Sequence, residues 1–316
     1  MRKTLILVTA ALALLAAPSR AEENCSLVKI ASFAMRMDDA GFVTIPLKIG
    51  GREVRMLVDT GGVYTGISQS VAEELGLDIH YLNTSFHTVM YGGKVIDHYV
   101  NAPNVEYGPF VQPRNQFVVM PKGSLPSGAD GLLAPDILRG FDVDFDFAGG
   151  VLNLFSPDHC PGRVVYWTQS PVAVLNLNSD ESFMPRTKTG EIPGTTPEGL
   201  RHVKVWMKLD DQDVEALIDT GASNTTFSLE RAQRMFGFDK SAPDLKEVGE
   251  RVYSYPFKSL TISGLQIGNP RIALIPDKDS TFYGGPMLLG MNVLHRLHLY
   301  LSYKEGKLYI SPAEQH

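Results

Sequence analysis

The chain has no run of like charges, no apolar stretch of comfortable membrane-spanning length, and only two cysteines in 316 residues. Each shortage removes a class of explanation. With a formal charge of −6 and no basic cluster, nothing marks it as a partner for nucleic acid or for an anionic membrane surface. The one marked apolar run, Thr4 to Ala17, is too short to span a membrane comfortably. No Gly-x-Ser-x-Gly elbow and no phosphate-cradling glycine loop occurs. His295 and His298 lack a third ligand at recognisable spacing, so no metal is expected. Asp142, Asp144 and Asp146 have the alternation of a calcium loop, but Phe147 stands where such a loop needs glycine. Their interleaving with Val143 and Phe145 predicts the solvated face of a strand. No cofactor is implied.

What is present begins with a leader. Arg2 and Lys3, the apolar run, and Ser19 and Ala21 at the −3 and −1 positions give residues 1–21 the pattern of a secretory signal peptide. An uncleaved anchor is the alternative. Glu23-Asn24 before Cys25 is not a lipid-attachment pattern, so no stable membrane insertion is expected after cleavage, and the location would be periplasmic or secreted. In an oxidising compartment Cys25 and Cys160 most simply pair, two unrelated buried thiols being the other reading.

The chain also repeats itself. Val54-Arg55-Met56-Leu57-Val58-Asp59-Thr60-Gly61 is matched by Val214-Glu215-Ala216-Leu217-Ile218-Asp219-Thr220-Gly221, 160 residues on. Upstream, Phe42 to Ile49 and Val203 to Leu209 alternate as strands and lead through polar or glycine turns (Gly50 to Glu53, Asp210 to Asp213) into each motif, which predicts a β-hairpin twice. Downstream, Ser68 and Ser228 are placed to cap short helices. Gly131 to Leu138 parallels Met287 to Leu294, and strand-like segments close each half. The reading is a mostly β protein divided near Pro161-Gly162: residues 22–162 form one lobe and 163–316 the other, with Ser179 to Gly199 as an exposed loop.

Duplicated Asp-Thr-Gly turns at strand ends, each half closed by a Leu-Leu-Gly-type element, resemble the pepsin/retropepsin superfamily of aspartic proteases, and within it exported bacterial proteins with two fused retropepsin-like halves. The resemblance implies an all-β fold of two β-barrel lobes related by pseudo-twofold symmetry, with the active-site cleft between them. It implies an aspartic endopeptidase in which Asp59 and Asp219 hold a water and share a proton, one acting as base and the other as acid. The split titration of such a pair is a property of the aspartic proteases as a class, and comes to this chain only through the resemblance. Gly61 and Gly221 would permit the tight turns, and Thr60 and Thr220 would cross-link the two loops. Tyr91-Gly92-Gly93 resembles the flap over bound substrate. Val252 to Pro256 lacks glycine at the matching place, so a single flap is expected. The implied partner is a peptide or protein substrate, and two half-sites in one chain imply a monomer.

The departures are specific. Gly62 and Ala222 carry no hydroxyl where pepsin-like enzymes commonly do, which should raise the carboxylates' pKa and extend activity towards neutral pH. Ala134 stands where the second half has Gly290. An exported, non-catalytic peptide-binding or regulatory module of the same fold is the competing reading. A carboxylate-pair glycosidase would leave the symmetric turns unexplained.

Overall fold

The computed structural model describes residues 25–82, 88–89, 94–178, 202–279 and 285–314. The leader, the Tyr91-Gly92-Gly93 segment and the whole 179–199 loop therefore lie outside the described residues. Short strands dominate, and the few helices have four to eight residues.

Both expected hairpins form. Strand Val43–Ile49 pairs with Arg52–Val58, and Lys204–Leu209 pairs with Gln212–Ile218. Their turns are tighter than the sequence suggested, two residues each. Gly50 and Gly51 have φ of 58° and 83°, and Asp210 and Asp211 have 44° and 66°, the doubly left-handed geometry that suits the twist of a two-residue hairpin. Each second strand then runs parallel to a closing strand, Gly131–Leu133 in the first lobe and Met287–Leu289 in the second. Ser68 and Ser228 accept hydrogen bonds from Val71 N and Arg231 N, capping helices Gln69–Glu74 and Leu229–Phe236.

In the first lobe, strands 43–49, 52–58, 131–133, 66–68, 110–120 and 98–107 pair in that order, and the last returns to the first, so the ring closes. In the second lobe the long hairpin is broken. Leu265–Gly268 ends, Asn269 turns left-handed at φ 48°, Pro270 has no amide to give, and the chain pairs again only at Ala273–Ile275. One face of the motif strands, Val54, Met56, Val58 and Val214, Ala216, Ile218, enters the main apolar core. Leu57 points to the other side with Leu132, Met120 and Ile96.

A six-stranded sheet joins the halves. At its centre Asp142–Asp146 lies antiparallel to Leu297–Ser302, with Asp144 opposite Tyr300. Here the sequence reading is corrected: Asp142 and Asp144 are fully buried. Alternation in a strand tells which residues share a face, not whether that face is covered. It is covered by residues on either side of Cys160, from His159 to Trp167. Asp144 accepts from Tyr166 at 2.6 Å and Asn153 at 2.8 Å and meets His298 at 2.6 Å, while Asp142 meets His159 at 2.6 Å. Trp167 stacks on the His298 ring at 4.5 Å. Burial pushes the Asp142 carboxyl above the ordinary aspartate range, against the pull of its bonds to His159 and Tyr300. Cys25 and Cys160 are bonded, closing the first half.

Candidate active site

Each Asp-Thr-Gly turn follows a buried strand and is held from below by the closing strand: Asp59 N donates to Leu133 O at 2.9 Å, and Asp219 N to Leu289 O at 3.0 Å. The two threonines lock the turns together. Thr60 Oγ1 donates to Ile218 O at 2.6 Å and accepts from Thr220 N at 3.1 Å; Thr220 Oγ1 donates to Val58 O at 2.7 Å and accepts from Thr60 N at 3.1 Å. Both side chains are buried, so every bond in this cross-brace is made away from water.

The brace brings the carboxyls together. Asp59 and Asp219 are hydrogen-bonded to one another. A methyl on Gly61 would come within 2.4 Å of Asp219 Cγ, and one on Gly221 within 2.4 Å of Asp59 Cγ. Glycine is thus required because each acid packs against the other motif's backbone, and positive φ plays no part. Asp59 Oδ1 accepts from Gly61 N at 2.9 Å and Gly62 N at 2.8 Å, and Asp219 Oδ1 accepts from Gly221 N at 2.9 Å.

Burial drives both carboxyls above the ordinary aspartate range. For Asp219 the negative charge of Asp59 adds to the effect; for Asp59 the bonds from Asp219, Gly62 and Gly61 oppose it. Two acids in contact titrate as one unit, which holds its last proton to higher pH than a lone aspartate. Both nonetheless keep some exposure, enough for solvent to reach them.

The departures find structural answers. Ala134 keeps the extended backbone of its counterpart, φ −115° against −96° at Gly290. A methyl on Gly290 would strike Asn224 at 2.5 Å, so only the first lobe has room for alanine. At Gly62 a methyl would sit 2.9 Å from Asp59 Oδ2. The hairpin of the second lobe turns at Gly249 to Arg251, ahead of Val252 to Pro256, whose first residues form its returning strand. In the first lobe Thr88–Val89 pairs with Val95–Ile96 on either side of the glycine-rich segment.

Two residues that the motifs did not single out lie close behind. Asp136 accepts from Thr65, and the Tyr303 hydroxyl is buried without a hydrogen-bond partner among the described residues. Asp136 was discernible as the repeat partner of Asn292; nothing in the sequence marked Tyr303.

Two lobes of strands carrying braced Asp-Thr-Gly turns define the aspartic protease type of fold. A solved aspartic proteinase from Irpex lacteus superposes with a TM-score of 0.53 over 89% of this chain and 97% of its own, at 14% identity, a likeness of fold alone. No curated protein sequence matches the chain. The aspartyl protease family, however, matches twice, over residues 45–136 and 205–293. Together these segments make up more than half the chain, and it belongs to that family.

Proposed function

We propose that the protein is an exported aspartic endopeptidase that hydrolyses peptide bonds with a water held between Asp59 and Asp219. The observation that carries this is the hydrogen-bonded carboxyl pair, both acids raised by burial and Asp219 further by the charge of Asp59. In the singly protonated pair, the ionised acid takes a proton from water as it attacks the peptide carbonyl, and the protonated acid gives its proton to the carbonyl oxygen. A proton returned to the nitrogen lets the C–N bond break. The backbone amides of Gly61, Gly62 and Gly221 hold the acids in place and moderate the cost of their charge.

With no hydroxyl at positions 62 and 222 to favour the ionised form, the working range extends towards neutral pH. Tyr91-Gly92-Gly93 acts as a flap over substrate, with the paired strands on either side as its stem. The leader pattern and the Cys25–Cys160 bond support a periplasmic or secreted location after cleavage of residues 1–21. Both half-sites lie in one chain, which supports a monomer. Digestion of a peptide library between about pH 3 and 8, with and without a statine-type transition-state mimic, tests this reading. Inhibitor-sensitive cleavage is expected. No cleavage, or a profile peaking at about pH 2–3, contradicts it.

A further inference from the structure

Behind the first turn of the pseudo-symmetric site stands a carboxyl where the matching place in the second lobe has an amide. Asp136 accepts from Thr65 N on both oxygens, at 3.0 and 2.9 Å, from Thr65 Oγ1 at 2.6 Å and from Ile137 N at 2.9 Å. Thr65 Oγ1 in turn accepts from Ala134 N at 3.0 Å, and the preceding residue, Leu133, anchors the Asp59 amide. Asp136 therefore reaches the Asp59 turn through one hydroxyl and one strand end. In the second lobe Asn292 occupies this place. Its Oδ1 accepts from Thr225 N and Oγ1, both at 2.8 Å, and its Nδ2 donates to Arg271 O at 2.9 Å. An amide has no charge to change; a carboxyl does, and only its protonated form could donate as Asn292 does.

The surroundings leave that charge poorly screened. Tyr64 from the loop after the first Asp-Thr-Gly, Tyr107 from the strand 98–107 and Tyr303 from the turn after strand 297–302 all feel it, and Arg139 is the cation near it. The three tyrosines stay neutral, Tyr64 being pushed up to about 12 by burial and by Asp136. Tyr303 feels Asp59 as well, so its partnerless hydroxyl lies in the field of both acids. Burial pushes Asp136 up to about 6, against the pull of its Thr65 and Ile137 bonds and of Arg139.

We propose that Asp136 is a positioning residue for Asp59, and that its negative charge helps the carboxylate pair keep its shared proton, extending hydrolysis to higher pH. This rests on the hydrolytic reading above and adds a regulator to that site. A second negative charge in the same lobe disfavours full ionisation of the pair, and the pair is active only while one proton remains.

The test compares pH–rate profiles of the full chain with Asp136→Asn, Asn292→Asp and Asp59→Asn, on a peptide that the wild type cleaves. Asp136→Asn is expected to move the basic limb down by up to about one pH unit, the scale of one added charge within a lobe. Asn292→Asp is expected to move it up. A purely structural role would lower the rate at every pH and leave the limb in place. An unmoved limb in both variants overturns the proposal. Should Asp136→Asn not fold, Asn292→Asp and the pH dependence of statine-type inhibitor binding decide alone. If Asp59→Asn keeps the wild-type rate, the hydrolytic reading itself has failed; if it is inactive while the limbs stay fixed, only the role of Asp136 has.

Discussion

Replacing Asp136 by Asn should stabilise the folded chain at neutral pH and do little or slight harm in acid. The carboxyl is raised from 3.8 to about 6, chiefly by burial. A group whose folded pKa is raised binds more protons folded than unfolded, so stability falls as pH climbs from the unfolded value through the folded one. For Asp136 that window runs from 3.8 to about 6. At about 1.4 kcal/mol per unit, the loss has a ceiling of about 3 kcal/mol above the window. Residual exposure of the side chain reduces this to roughly 1–2 kcal/mol. Asparagine carries no such penalty and still offers Thr65 an acceptor, as Asn292 does for Thr225. Thermal unfolding of both proteins from about pH 4 to 8 should show the variant gaining several degrees only at the upper end. A gap that is constant with pH, or that favours the wild type above about pH 7, would refute the linkage.

Three further outcomes follow from the same geometry. Thr220→Val removes a buried hydroxyl that donates to Val58 O and accepts from Thr60 N, leaving two backbone groups unpaired. It should cost about 2–4 kcal/mol in unfolding experiments and sharply lower the cleavage rate. The paired substitution of Cys25 and Cys160 by Ser opens a loop spanning 135 residues and should cost up to about 4–5 kcal/mol, read as a lower denaturant midpoint. His298→Leu strips buried Asp144 of a hydrogen-bond partner and the Trp167 ring of its stack, with an expected cost of about 1–3 kcal/mol in unfolding experiments.

The carboxyl pair was legible because duplication is written in covalent order: two Asp-Thr-Gly turns after matching strands fix both the fold and the residues that must meet. The hairpins and serine caps were legible for local reasons, namely period-two apolar residues, glycine or aspartate at the turns, and a hydroxyl before each helix. Asp142 and Asp144 were misplaced because their partners, His159, Tyr166 and His298, come from distant chain segments that only tertiary packing brings over that face. The same reason hid Tyr303, which comes from the turn between the last two strands of the other half. The need for glycine at positions 61 and 221 was foreseen, but its cause is contact with the opposite carboxyl across the pseudo-twofold axis.

In the proposed mechanism one proton shared by two acids does the chemistry. Asp59→Asn and Asp219→Asn, made separately, checked for folding and assayed on a cleaved peptide across the active pH range, measure that sharing. Either change alone should reduce the rate by several orders of magnitude while peptide binding persists. Near-normal turnover in either variant would contradict the shared-proton mechanism.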